Sequence, residues 1–381
     1  MDPVTHAASG ALLMLALPRR PQTRWAVPLA ALAAASPDID TAFCWTPELF
    51  LALHRGVTHS LAYLPLFALL LALLARPLWR PQTPGRFSLA GCWILCAACL
   101  GLHLWLDAVT SYGTMLLLPF SHLRVRLNAV FIVDLLLVLP MLVLAVKAAR
   151  AGQTPGRKPA GSRAALAGLV WLIAYPLASL AIGHLQAERF VQAELACGRQ
   201  IERSVLLPDV LSPCFWRIVY EEREQEAKAE ACTAERLLVK SQSLGPLGRR
   251  GSPAVYEALP AGTAQALRAQ STAAGSCLDF FVLPVVQPLP AQDRQGACLP
   301  DGCRAILVHD LRFGSGLAFA TRIMAMRPNA NVPFRLMLVL DGQNRLLQER
   351  IVFSDSRRDT GWRTPTLHPA PSLAAWLAGL E

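Results

Sequence analysis

Hydrophobic and polar positions divide the chain into two textures. Up to residue 185 the apolar residues come in long blocks, at roughly 7–17, 25–36, 60–75, 88–106, 129–147 and 165–184. The last three approach the ~20 residues that a helix needs to cross a bilayer, and the first two are too short for an untilted crossing. Those two are expected to form a short helical hairpin packed inside the bundle. After residue 186 the blocks give way to short runs that predict strands at Phe215–Tyr220, Glu235–Lys240, Leu278–Val286 and Ala305–Leu311, and a hairpin over Phe334–Phe353 turning at Asp341-Gly342. Pro and Gly clusters near 245–262 and 287–302 predict loops, and a helical connector around 184–196 carries Glu188 and Glu194 on its polar side. The expected fold is an α-helical integral membrane bundle of about six apolar helices, the first two short, over residues 1–185. A smaller β-rich (α+β) extramembrane domain follows over 186–381.

Composition sharpens this picture. Of 381 residues, 54% are hydrophobic and 16% charged, against about 25% charged in an ordinary soluble domain, which excludes a purely soluble globular protein. Residues 1–185 hold 14 Lys and Arg but 6 Asp and Glu, whereas the remainder is nearly balanced at 22 and 20. The positive charge of the first half sits in short loops and forms no basic face, so no nucleic-acid partner is expected. Three loops, with Arg19, Arg20 and Arg24, then Arg76, Arg80 and Arg86, then Lys147, Arg150, Arg157, Lys158 and Arg163, contain 11 of the 14 cations and no acid. The positive-inside rule makes them cytoplasmic. The N-terminus, 37–59, 107–128 and everything after 185 are then periplasmic, and the chain is expected to be a multi-pass protein of the bacterial inner membrane. A cleaved signal peptide is not expected, because Asp2 precedes the first apolar run and Arg19-Arg20 follow it.

Cysteines add a weaker signal. Cys197, Cys214, Cys232, Cys277, Cys298 and Cys303 are even in number, compatible with disulfides in an oxidising compartment, and Cys298 and Cys303 are close enough to pair around a Pro-Asp-Gly turn. Cys92, Cys96 and Cys99 lie in an apolar run and are expected as small core residues.

Histidines and carboxylates of the first half concentrate in four short elements. These are Thr5-His6, Pro37-Asp38-Ile39-Asp40, His54-Arg55-Gly56-Val57-Thr58-His59-Ser60, and His103-Leu104-Trp105-Leu106-Asp107. His103 and Asp107 are four apart and share a helix face. The topology drawn from Lys and Arg alone puts all four elements at one membrane face. Ionisable groups in a membrane bundle are costly and point to function. His6, Asp38, Asp40, His54, His59, His103 and Asp107 are candidate ligands for a divalent ion, with Zn²⁺ expected first and Mn²⁺ or Fe²⁺ as alternatives. Seven exceed the need of one open site, so either two metals are held or some of the seven orient ligands or act as general base. Arg55 is a candidate for neutralising an anionic group such as a phosphate.

Other polar residues have plainer expected roles. Asp134 is expected to cap a helix or pair with Arg124 or Arg126, with lining of the site as the alternative, His122 is interfacial, His184 snorkels from a helix end, and His309 and His368 are structural. No P-loop, Rossmann glycine pattern, G-x-S-x-G elbow or H-E-x-x-H helix occurs.

On these segments the chain resembles the bacterial membrane-bound metal-dependent hydrolase family, the LexA-binding, inner-membrane-associated hydrolases. The likeness rests on Met1 to His6, Pro37 to Asp40, His54 to Ser60 and His103 to Gly113, with Leu118 to Ser121 and Asp134 also similar. Beyond residue 200, Phe215-Trp216-Arg217 and Asp310 to Gly314 resemble the extramembrane domain of longer members more weakly. The resemblance implies a metal-dependent hydrolase with the histidines and aspartates above as ligands, and names no substrate. Its LexA-binding label implies a cytoplasmic partner, which the loop charges do not favour for the large domain.

The expected function is a metal-dependent hydrolase acting on a phosphoester or ester, lipid-derived in view of the membrane location. Asp38, Asp40, Arg55 and Asp107 are the candidate catalytic groups. The alternative is a non-enzymatic membrane protein whose His/Asp cluster binds metal structurally or relays protons, its β-domain docking a partner.

Overall fold

Small residues set the packing of the apolar helices. The computed structural model describes residues 1–367 apart from 19, 22, 80–87, 152–162, 227–233, 326–333 and 354–358. Arg19, Arg80, Arg86, Arg157, Lys158, Cys232 and His368 therefore lie outside the described residues. The chain divides into two units. The first comprises residues 1–40, 55–183 and 210–214, and the second 41–54, 184–209 and the chain from 215 onward.

In order along the chain, the helices before the sheet are α1 Pro3–Ala16, α2 Ala26–Ala35, α3 Pro47–Leu53, α4 Leu64–Trp79, α5 Leu89–Ala108, α6 Leu135–Ala151 and α7 Arg163–Ala196. Asp2 starts α1 by accepting from the Thr5 N–H at 3.0 Å, with Pro3 in the first turn, where its missing N–H costs nothing. Ser88 starts α5 in the same way, accepting from the Gly91 N–H at 3.1 Å. One core of the first unit joins Ala26, Ala30, Ala33 and Ala34 of α2 and Ala68, Ala72 and Ala75 of α4 to Cys92, Cys96 and Cys99 of α5. The three thiols are buried small core residues, as expected. The closest approach is at Gly10, where a Cβ would stand 2.1 Å from the Ala30 carbonyl oxygen. Small residues that let backbones approach are the usual device of helix contacts in membranes.

The expected bundle of about six membrane helices is corrected. Among the described residues two helices, Leu89–Ala108 and Arg163–Ala196, are long and apolar enough to cross a membrane, or three if Pro47–His59 with Leu64–Trp79 counts as one broken span. The reason is length. At 1.5 Å per residue, α1, α2, α4 and α6 reach only about 21, 15, 24 and 26 Å, short of a hydrocarbon core ~30 Å thick. Apolar runs overstate helices here. In the run 129–147, residues 129–134 are not helical, and Asp134 begins α6.

The second unit carries an eight-stranded antiparallel sheet whose strands follow chain order. They are β1 Ile201–Pro208, β2 Trp216–Glu226, β3 Ala234–Leu244, β4 Ala254–Ala258, β5 Pro284–Pro288, β6 Arg304–Asp310, β7 Arg335–Leu340 and β8 Leu346–Val352, with helices α8 Ala261–Gln270 and α9 Thr272–Phe280 between β4 and β5, and α10 Ala318–Ala325 before β7. Alternation along β2 sends Trp216, Ile218 and Tyr220 to one face, against Phe190 of α7, and Val219 to the other with Leu207, Val239 and Val285. β1 and β4 were not foreseen, β4 falling within the stretch expected as loop. Leu278 to Phe280 end α9 and do not start a strand, because Ser271 caps that helix, accepting from the Ala274 N–H at 3.2 Å. Cys298 and Cys303 stand as free thiols, not the pair that their spacing allowed.

His309 on β6 is buried beside Tyr256, and burial pushes its imidazole down to about 4. As pH falls through ~6.5 the unfolded chain takes up a proton that the folded unit refuses until about pH 4. Stability should therefore drop across that window by up to ~1.4 kcal/mol per pH unit. Thermal unfolding of the detergent-solubilised full chain between pH 7 and 4.5 should show this slope, and His309→Phe should flatten it. An unchanged slope in the variant would rule out His309 as the cause.

Candidate metal centre

The polar site of the first unit grows from the same stripe that packs α5. Cys92, Cys96 and Cys99 are followed one and two turns later by His103 and Asp107, all buried on one face. His103 Nδ1 lies 2.7 Å from the carbonyl oxygen of Ala34, in the last turn of α2. That carbonyl has no partner within its own helix, so the imidazole satisfies it by donating from Nδ1. In the neutral ring Nε2 is then an acceptor. Nε2 of His103 faces Nε2 of His59 at 3.0 Å.

His59 comes from the single 3-10 turn Val57–His59. Its Nδ1 is 2.9 Å from Thr58 Oγ1 and 3.4 Å from Asp40 Oδ2. Asp40 Oδ2 also accepts from the Arg55 N–H and from Thr58 Oγ1, both at 3.0 Å. Asp40 thus orients the ligand-bearing segment. Arg55 adopts a left-handed backbone, φ 58°, which this pairing and the Met115 N–H bond to its carbonyl, at 3.0 Å, hold in place.

Asp107 serves both sides of the site. Its Oδ2 lies 3.2 Å from His59 Nε2 and 3.5 Å from His103 Nε2. Its Oδ1 takes Arg55 Nη2 at 3.0 Å and also pairs with the Met1 amine. Asp38 closes the cluster, with Oδ1 at 3.5 Å from His59 Nε2 and 3.7 Å from His103 Nε2. One ligand atom from each of Asp38, His59, His103 and Asp107 fits within 4.8 Å of the others. Three of the four are fully buried, and Asp38, with 21% of its side chain exposed, is the way in. Burial pushes the Asp38 carboxyl up, but the hydrogen bond from His59 holds it down at about 2.

These donors fit a divalent cation. Two closely spaced imidazoles supply nitrogen donors, and two carboxylates beside them add negative charge. In addition, α2 and α5 both end here, and helix C-termini favour cations. With bonds of 2.0–2.2 Å, tetrahedral zinc sets its ligand atoms about 3.3 Å apart, close to the separations found. Each imidazole has its other nitrogen fixed by a carbonyl or carboxylate, the usual support of metal-bound histidine. The cluster can hold a metal ion.

The other expected residues take different places. His6 stacks on His103 at 3.7 Å between ring centroids, its Nε2 3.3 Å from Asp107 Oδ1 and 4.0 Å from Asp38 Oδ2. Neither of its buried ring nitrogens makes a hydrogen bond. His54 falls in the second unit, at the C-cap of α3, with its ring 4.6 Å from Phe50. Arg55 is buried, with Nη1 3.3 Å from Thr110 Oγ1 and its guanidinium 4.4 Å over the Tyr112 ring. It is a positioning residue for Asp107. Asp134 caps α6 through the Leu136 and Leu137 N–H groups and accepts from Tyr175 Oη at 2.9 Å and from the Ser212 hydroxyl. His122 and His184 are exposed. Sequence reasoning missed Thr58, which lies within the His54–Ser60 motif, and the Ala34 carbonyl, for which a sequence carries no side-chain signal.

Two of the four cluster residues, His103 and Asp107, sit on a helix long and apolar enough to cross a membrane. Residues 1–188 match the YdjM inner membrane protein family. The match covers the whole cluster and both helices long enough to cross a bilayer, apart from the last residues of α7. No curated protein and no solved structure matches the chain. The first half of the chain is thus similar to an inner membrane protein family, and the matched residues include the His/Asp cluster.

Proposed function

We propose that the protein is a divalent-metal-dependent hydrolase of the inner membrane, acting on ester or phosphoester substrates. The observation that supports it most is the pair of facing Nε2 atoms of His59 and His103 at 3.0 Å, bracketed by Asp38 and Asp107. These four residues would hold the metal, with zinc favoured by the nitrogen and oxygen donors. The ion would supply a water of lowered pKa and polarise the bond under attack. Asp40 and the Ala34 carbonyl would hold the two imidazoles with Nε2 turned to the metal. Arg55 fixes Asp107 through Oδ1, so that Oδ2 is turned to the histidines. Asp38, the partly open member, would be the ligand on the side where water and substrate enter.

The loop charges support a periplasmic site. His6 lies near the start of α1 and His103 and Asp107 at the end of α5, while Arg20 and Arg24 follow α1, Arg76 ends α4 and Lys147 and Arg150 end α6. A reporter fused at residue 300 should give a periplasmic signal and one at 155 a cytoplasmic one. The reverse would overturn the orientation.

Four protein donors also suit a closed structural zinc site, which keeps the non-enzymatic alternative as a second reading. The two part on turnover. Purified full-length protein, loaded with Zn²⁺ or Mn²⁺, should hydrolyse generic phosphomonoesters, phosphodiesters or carboxylic esters, and Asp38→Asn should lose about 10²-fold. Stoichiometric metal without turnover on any of the three would overturn the hydrolase and leave the structural site.

A further inference from the structure

An exposed apolar loop adjoins the segment that carries His59. Thr114 and Val125 bridge each other through N–H to carbonyl bonds of 3.0 and 2.9 Å and close the loop at its base. Its near side is stitched to the ligand-bearing segment. Met115 N–H donates to the Arg55 carbonyl, Leu61 N–H to the Leu116 carbonyl, both at 3.0 Å, and Ser60 Oγ to the Leu118 carbonyl at 2.5 Å. Its tip is apolar and bare. Phe120 is 87% exposed and Leu123 62%, with Leu117 and Leu61 beside them also open. In water such a fixed, bare cluster would be costly, at roughly 25 cal/mol for each Å² of apolar surface.

Two further facts say what covers it. The apolar surface does not stop at the loop, because Leu61 leads within three residues into α4, whose Leu66, Leu70, Leu73 and Leu74 are all exposed. In an inner membrane protein that helix face belongs to lipid. Within a few residues of the tip, exposed His122 and half-buried Arg124 and Arg126 supply the polar heads of an interfacial segment.

From this arrangement we infer that the loop Leu117–Leu123 is a lipid-inserted lip of the metal centre, resting at the acyl-headgroup boundary. The substrate is then a bilayer-resident amphiphile, whose head reaches Asp38 while its chain stays in lipid. The substrate half rests on the hydrolase reading, and the lip itself does not.

The test uses full-length protein in membranes with p-benzoylphenylalanine at position 120, and at position 70 on α4 as the reference. Irradiation should give lipid adducts at both positions in similar yield. Lipid adducts at 70 and none at 120 would overturn the lip. In parallel, Phe120→Asp, which touches no ligand, should lower turnover of vesicle-borne ester lipids about tenfold and leave water-soluble short-chain esters unchanged. Equal loss on both would overturn the substrate class. Absence of any turnover in wild type would count against the hydrolase alone, since the crosslink reads the lip without it.

Discussion

His59→Ala combined with Asp107→Ala is expected to abolish stoichiometric metal binding. Asp107 Oδ2 and His59 Nε2 are 3.2 Å apart and both face His103, so the double variant removes two of four donors and leaves one imidazole and Asp38. Changes to residues that merely support ligands lower metal affinity 10–100-fold, and loss of two ligands should exceed that. Arg55→Gln should fall in the 10–100-fold range, because it frees Asp107 Oδ1 without removing a donor. Equilibrium dialysis with Zn²⁺ separates these outcomes. The double variant also leaves Arg55 buried without its carboxylate partner, so its fold must be checked by the unfolding transition. Asp107→Asn, which keeps the size and removes the charge, supplies a milder second variant, and unchanged affinity in both would remove Asp107 from the site.

Gly10→Ala should be the most damaging single-methyl change in the first unit. Its Cβ would meet the Ala30 carbonyl oxygen at 2.1 Å and Ala34 Cβ at 2.7 Å. Backbone cannot swing aside as a side chain can, so α1 and α2 must separate. Overpacking costs about 1–3 kcal/mol, and this contact belongs at the upper end. The change also reaches the site, because α1 carries His6 and Ala34 of α2 holds His103 through its carbonyl. Metal affinity should fall together with the unfolding midpoint. Gly101→Ala is the control, since nothing lies within 4 Å of its Cβ. It should be neutral or stabilising by up to ~1 kcal/mol through helix propensity. Equal effects of the two changes would refute the close crossing at Gly10.

The cluster was legible because its residues break an apolar background in patterns with a geometric meaning. His103 and Asp107 share a helix face by spacing alone, and His59 follows a Gly that lets the chain turn into the site. The supports were less visible. Ala34 contributes a main-chain oxygen, and Arg55, which the sequence offers as an anchor for a substrate anion, is taken up by Asp107, Thr110 and Tyr112.

Helix positions were easier to foresee than spans. Apolar runs mark buried as well as lipid-facing residues, and only a length of ~20 residues tells a crossing helix from a short one. The exchange of 41–54 and 210–214 between units had no local signal either, as such assignments depend on contacts made far along the chain. Ser212, for example, bonds Asp134 within the first unit from 78 residues away. In the second unit the Asp341-Gly342 hairpin was readable from its turn residues. β4 was not, since Pro and Gly flank it on both sides.

The central claim is that Asp38, His59, His103 and Asp107 hold one divalent ion. X-ray absorption at the metal edge of the purified, full-length protein tests it most directly. The account predicts about one ion per chain, ligated by nitrogen and oxygen only, with two imidazoles at 2.0–2.1 Å. A protein purified without metal that takes up none on dialysis, or an ion ligated by sulfur from the buried cysteines of α5, would contradict it.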